Sequence, residues 1–346
     1  VLDLQLLYLS TNKLAGTIPQ SVFNMPSLRT LDLFANRLSG TISSDVSTTL
    51  EWISLSHNFL TGTIPSGIGT LANISFLLLL ANQFTGTLPF DYEKMASLRM
   101  LDVAYNGLTG SIPSAIDKMT KPMWFTVDRN SLTGTIPESI GNMTSIEVLG
   151  LSGNQFTGRI PPSIFGLKDL RVLLLSENTF TGTLPLVRQE KSSLQIAAFD
   201  HNFLSGSIPQ HMGWFPELMC LTLNSNEITG IIPEELASLA KLTYLWLNDN
   251  NLHGTLPDAF SNASNLVGLT LHKNALEGDM EFMCNQNVSL LSLPQRDEEH
   301  AENCSCCTSC AKNYGIGDMC DPRAHYEFIV SVSVLAAIVR SIFLSI

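Results

Sequence analysis

The apolar positions of this chain recur with a period of 24 residues. In the stretch 242–257, LTYLWLNDNNLHGTLP, fixed places are held by Leu242, Leu245, Leu247, Asn250, Leu252, Gly254, Leu256 and Pro257. One period earlier the same places hold Leu218, Leu221, Leu223, Asn226, Ile228, Gly230, Ile232 and Pro233. A fixed period of this length means a solenoid, in which each turn buries its apolar face against the next. Leu245 and Leu247 flank the outward Trp246, and this period of two predicts a short strand with one buried face. Strands at the same phase in successive turns must be parallel neighbours in one long sheet. After the proline comes an apolar pair such as Ile140 and Met143, or Leu236 and Leu239. That one-turn spacing predicts a short helical piece on the opposite, convex side.

Between strand and return leg lies a polar frame. The ladder asparagines run from Asn12 to Asn274, each 24 residues from the last except for a gap of 22 between Asn36 and Asn58. A glycine follows four residues after each asparagine, and a proline three residues after that glycine in every turn except at Ser43 and Glu281. The short amide of asparagine can satisfy backbone groups that no strand partner reaches, and an unsatisfied buried group costs about 1–3 kcal/mol. Glycine permits a tight backbone, and proline fixes the return leg without needing a ladder donor. The pattern slips in three places. The third turn is two residues short across Ser43–Leu50, Pro122 replaces a ladder leucine, and Arg188 and Lys191 replace an apolar pair. The last slip predicts an irregular exposed loop over Leu186–Ser193.

Residues 4–283, with their N-x-L-x-G-x-[IL]-P element, resemble the plant-type leucine-rich repeats of receptor-like kinases, receptor-like proteins and cell-wall polygalacturonase inhibitors. The resemblance implies an α/β leucine-rich-repeat solenoid: an extracellular right-handed superhelix that recognises ligands on its concave and lateral faces. Nothing in the chain resembles a kinase domain. The run Cys304-Ser305-Cys306-Cys307-Thr308-Ser309-Cys310 resembles the C-terminal cap of diatom-type leucine-rich-repeat surface proteins.

With the ladder in register, the outward residues of each strand lie six, four and two places before its asparagine. Parallel strands sit about 4.8 Å apart, so Trp52, Phe76, Met100 and Trp124 form a contiguous apolar stripe. Asp102, Asp128 and Arg129 edge it, and Tyr244 and Trp246 make a smaller patch towards the C-terminal end. Interface centres are enriched in aromatic residues and Met, so the stripe is a candidate ligand-binding surface. The alternative is repeat filler, in which lateral neighbours shield one another. Cys220 lies in the same column and reads as a thiol tucked between Ile196 and Tyr244.

Composition sharpens the class. At 346 residues an ordinary globule would divide into two domains, but a solenoid grows by stacking. A net charge of −12 argues against nucleic acid and suits a basic or neutral partner. Cys284, Cys304, Cys306, Cys307, Cys310 and Cys320 crowd the C-terminal region and predict a disulfide cap over 284–320 in an oxidising compartment. Four of these thiols are close enough in sequence to hold zinc, but a solenoid end needs a cap, and disulfides are the favoured reading. Sequons at Asn73, Asn142 and Asn262 fall on the return leg, and two more begin at Asn287 and Asn303. Glycans on the return leg would leave the concave face free.

After a short juxtamembrane segment, 321–327, the stretch Phe328–Ile346 has one charge, Arg340. As a helix it would be about 28 Å long, close to the bilayer core of roughly 30 Å, and is read as a membrane span. The removable tail of a lipid-anchor signal and an amphipathic cap helix are the other readings. The chain has no starting Met and begins three residues before Leu4, so it reads as having lost an N-terminal cap.

Catalytic chemistry is not indicated. No H-E-x-x-H, phosphate loop or G-x-S-x-G occurs, and His57, His201, Asp32, Asp102, Asp128 and Asp200 are scattered. Asp200 and His201 are adjacent and should point to opposite sides of a strand. No cofactor or metal is called for. The expectation is a non-enzymatic recognition module at the cell surface, receptor-like or adhesive, binding a peptide, glycan or protein. A secreted inhibitor of a wall-degrading enzyme and a receptor-kinase ectodomain fragment are the alternatives.

Overall fold

The computed structural model describes residues 3–185, 192–278, 283 and 290–292. Thirteen short parallel strands, from Leu6–Tyr8 to Leu290–Ser292, form one sheet in sequence order. Equivalent residues pair one period apart: Leu7 with Leu31, Phe125 with Leu149, Leu221 with Leu245. Their inward side chains make the core, with Leu31, Ile53, Leu77, Leu101, Phe125, Leu149 and Leu173 all fully buried.

The asparagines form the expected ladder. Asn154 is representative: its Nδ2 donates to the carbonyls of Val127, Leu151 and Ser152 at 3.0–3.2 Å, and its Oδ1 accepts from Leu132 N–H at 3.0 Å. One side chain thus ties its own turn to the one before. A second device at this corner is not visible in the repeat pattern. The residue just before each ladder asparagine has a left-handed backbone, as at His57, Arg129 and His201, and only at Gly153 is it glycine. Strand alternation therefore stops one residue early.

The return leg holds more order than anticipated. Segments such as Phe59–Thr63, Gln83–Gly86 and Ser131–Gly134 make a second parallel sheet of twelve strands. The glycine after each asparagine has positive φ, which lets the chain leave this sheet towards the convex side. There the predicted helical pieces are single 3-10 turns such as Glu138–Asn142 and Glu234–Ser238, and one α-helical turn, Gln20–Phe23. They bury Ile140, Leu236 and Phe23.

The short third turn has no such piece among the described residues. Its backbone is held instead by Ser43 Oγ with Asp45 and by Ser47 Oγ with Thr49. Pro122 is buried in the place of a leucine, and the strand Trp124–Thr126 keeps both neighbours. Within the described residues no helix is long and apolar enough to cross a membrane. The loop at 186–191, the cysteine cluster, Asn287 and the apolar stretch Phe328–Ile346 lie outside those residues.

Candidate ligand-binding face

The register brings Trp52, Phe76, Met100 and Trp124 side by side, as the spacing required. The Trp52 and Phe76 rings pack with centroids 4.3 Å apart, tilted by 32°. Trp124 Nε1 donates to Thr126 Oγ1 at 3.2 Å, which fixes its ring along the strand. The apolar patch runs further than the sequence reading allowed. Met100 and Trp124, exposed by only 7% and 4%, continue into Val148, Val172, Leu174 and Ala198. These residues occupy the same outward positions but carry no aromatic signal. Trp52 and Phe76 at one end, and Tyr244 and Trp246 at the other, are half-buried.

Beside Tyr244, Cys220 is buried in the column.

Asp102 and Asp128 are both buried at the edge of the apolar patch. Asp102 Oδ1 accepts from Ala104 N–H at 3.1 Å, and Asp128 Oδ1 from Ser152 N–H at 2.5 Å. Asp128 Oδ2 has no hydrogen-bond partner. Burial pushes the Asp128 carboxyl up to about 8, reinforced by Asp102; the Ser152 amide and Arg129 pull the other way. Gly150, the sheet partner of Thr126, lies against this carboxylate: a Cβ there would stand 2.2 Å from Asp128 Oδ2, so any side chain at 150 would push the carboxylate aside. Arg129 does not neutralise it. Its guanidinium pairs with Glu177 two turns on, and its stem passes over Gly153.

Asp200 and His201 correct the sequence expectation. They meet, with His201 Nδ1 and Asp200 Oδ2 3.0 Å apart, because His201 has φ of 54° and leaves the strand alternation. Asp200 Oδ1 also accepts from Ser176 Oγ at 2.6 Å and Thr222 Oγ1 at 2.5 Å. Burial alone would raise the Asp200 carboxyl, but bonds from His201, Ser176 and Thr222 outweigh it and hold it below its ordinary value. The hydrogen bond to Asp200 raises His201 in turn. Both hydroxyls donate to the carboxylate and not to the imidazole, so this cluster has no hydroxyl activated by a base. Among the described residues no group of three His, Cys, Asp or Glu side chains is placed to hold a metal ion.

Unpaired polar atoms gather on this face. The buried atoms without a partner include Trp52 Nε1, Asp128 Oδ2, Ser152 Oγ, Asn224 Oδ1 and Trp246 Nε1, all from outward positions of the inner sheet. The sequons Asn73, Asn142 and Asn262 are exposed on the return leg, away from it.

The repeat unit matches the Leucine Rich Repeat family at residues 3–25, 27–48, 49–71, 97–119, 145–167, 217–239 and 241–263. No curated protein matches the chain. Among solved structures, the plant peptide hormone receptor RGFR1 in complex with RGF2 is similar at 31% identity and a TM-score of 0.76, over 85% of this chain and 51% of that one. The Arabidopsis receptor kinase HAESA, solved with the peptide hormone IDA and the co-receptor SERK1, is similar at 30% identity and a TM-score of 0.55, over 79% and 54%. A plant ice-binding protein is similar at 27% identity and a TM-score of 0.62, over 83% of each chain. The chain spans about half the length of the two receptors. It is a leucine-rich-repeat protein, and its solenoid is similar to the ectodomains of plant receptor kinases.

Proposed function

We propose that the concave face binds a peptide or protein segment carrying a cationic group. The observation that carries this is the contiguous apolar stripe of Trp52, Phe76, Met100 and Trp124 on the concave face, edged by the buried carboxylates of Asp102 and Asp128. Interface centres are enriched in such aromatic residues and Met. Asp128 adds the charge preference. Its Oδ2 fills the space that the missing Cβ of Gly150 leaves, and a guanidinium or ammonium docked beside it would favour its ionised form. The similar receptors were solved with peptide hormones, which supports a peptide as the ligand class. Trp52 and Phe76 at one end, and Tyr244 and Trp246 at the other, are the parts a partner reaches first.

On this reading the repeats face the cell exterior. The segment 284–320 closes the C-terminal end through disulfides, and 328–346 anchors the chain. The sequence alone supports those two assignments.

The test is a random-peptide display selection on the full chain. Enriched peptides should carry Lys or Arg. Alanine at Trp52, Phe76 and Trp124 together should weaken them by roughly 100-fold. Peptides indifferent to those changes would reduce the stripe to filler. A second reading draws on the similarity to the plant ice-binding protein: the scaffold binds a crystalline surface.

A further inference from the structure

Outside the concave face, the most regular surface of the molecule is the outer side of the second sheet. In the seven turns from Asn58 to Asn202, the residues three and five places after the ladder asparagine are Thr61 and Thr63, Thr85 and Thr87, Thr109 and Ser111, then Thr133 and Thr135. Thr157 with Arg159, Thr181 with Thr183, and Ser205 with Ser207 continue the series. Nearly all are exposed; Thr61 and Ser205 are half-buried. Each pair flanks a glycine of positive φ.

The two columns form one grid. Strands in this sheet are staggered by two residues per turn, so Thr63 stands opposite Thr85, Thr183 opposite Ser205 and Ser207 opposite Thr229. Hydroxyl positions therefore repeat at about 6.7 Å along a strand and about 4.8 Å across strands. The rotamers are fixed as well. The first threonine of each pair donates Oγ1 to the glycine carbonyl of the preceding turn, as Thr61 to Gly40, Thr109 to Gly86 and Thr133 to Gly110, at 3.2–3.3 Å. The second lays its methyl over the glycine of the next turn. A Cβ on Gly86 would stand 2.9 Å from Thr63 Cγ2, and one on Gly158 2.9 Å from Thr135 Cγ2.

Charge points to the occupant. The chain has 31 acidic residues, yet from Ser39 to Ser207 these two columns hold no acid and one base, Arg159. A rigid, uncharged lattice of hydroxyls and methyls complements a partner that is itself an uncharged, repeating network of hydrogen bonds. We infer that this threonine face binds the surface of ice. The inference rests on the crystalline-surface reading above and assigns its residues. A crystalline polysaccharide would instead call for aromatic platforms under its sugar rings. The grid contains none; Phe59 and Phe203 stand singly in the column beside it, six turns apart.

The experiment is partition of the full chain into slowly growing ice, read alongside inhibition of ice recrystallisation. The double variant Thr109→Tyr/Thr133→Tyr breaks the grid. Thr109→Val/Thr133→Val keeps the shape and serves if the tyrosines unfold the chain. Lys118→Tyr on a convex turn is the control. The chain should partition into ice, the control should match it, and the grid variants should need at least roughly tenfold more protein for the same inhibition. If the native chain stays in the liquid, both the crystalline-surface reading and this assignment fall. If it enters ice and the grid variants match it, the reading stands and the threonine face is overturned. Retention on powdered cellulose or chitin, with none on ice, overturns ice in favour of a polysaccharide.

Discussion

The two sheets of this solenoid share every asparagine, yet their outer faces have diverged. Along the inner sheet, equivalent outward positions carry Trp52, Phe76, Met100, Trp124, Val148 and Val172, no two adjacent turns alike until the valines. Along the second sheet the equivalent positions repeat threonine or serine for turn after turn. The backbone period is the same in both. The difference shows that the scaffold does not force outward positions to be uniform. A varied face suits a ligand of irregular shape, and a uniform one suits a repeating partner.

The frame common to both faces should be the most sensitive part. Asn154→Ala removes three donated bonds and one accepted bond at a buried corner, orphaning carbonyls on two turns. A loss of roughly 2–4 kcal/mol is expected, seen as a lower denaturant midpoint. In a repeat protein hydrogen exchange should localise it to the turns around residue 154. A loss confined to one sheet would show that the ladder does not couple them.

Next in size is Gly86→Ala, which acts on the second sheet. At φ of 81° an alanine is strained, and its methyl would press on Thr63 Cγ2. About 1–2 kcal/mol should be lost. Exchange should rise in Gln83–Gly86 and its neighbours while the strand Phe76–Leu78 stays protected. Equal loss of protection in both would argue that the two sheets open as one unit.

These two sites also mark what could be read from sequence. The ladder was legible because Asn, Gly and the leucines recur with one period, and stacking follows from period alone. The second sheet was not, because T-G-T has no apolar alternation: its inward residue is the leucine or phenylalanine already assigned to the repeat core. The left-handed residue before each asparagine was hidden because eleven of the twelve are ordinary residues, held there by the ladder and not by their own preference. The meeting of Asp200 and His201 follows from that hidden feature. Asp128 was visible as an outward carboxylate, but its lone oxygen depends on which way Arg129 turns, and that is set two turns away at Glu177.

Within the varied face, Asp128 and Asp200 give opposite pH responses. Asp128 is raised to about 8 by burial, so its neutral form is the one the fold prefers. Stability from this group is therefore greatest at acid pH and falls as pH rises from about 4 through about 8. Asp128→Asn keeps the acceptor for Ser152 N–H and removes the buried charge. It should raise the melting temperature at pH 8 by a few degrees and flatten the pH profile. An unchanged profile would mean that the carboxylate is already compensated, and with it would go the argument for a cationic ligand group.

The smallest effect belongs to Asp200 and His201, whose imidazole is partly open to solvent. Asp200 is held below its ordinary 3.8, so its contribution is present above that pH and is lost as pH falls through the folded value. His201 is held above 6.5, so its contribution is complete below 6.5 and is lost as pH rises through its own folded value. The pair therefore stabilises most between about pH 4 and pH 6.5, within the range where Asp128 begins to destabilise. Asp200→Asn removes the charge but leaves an acceptor for Ser176 and Thr222. The imidazole of His201, followed by NMR titration, should then move down towards 6.5. Solvent screening keeps the stability change small, which is why the titration and not the melting curve is the measurement. If the His201 titration does not move, the contact with Asp200 is not maintained in solution. The positive φ at residue 201 would then serve the ladder alone, as it does at Ala35 and Ala81, where no side chain could use it.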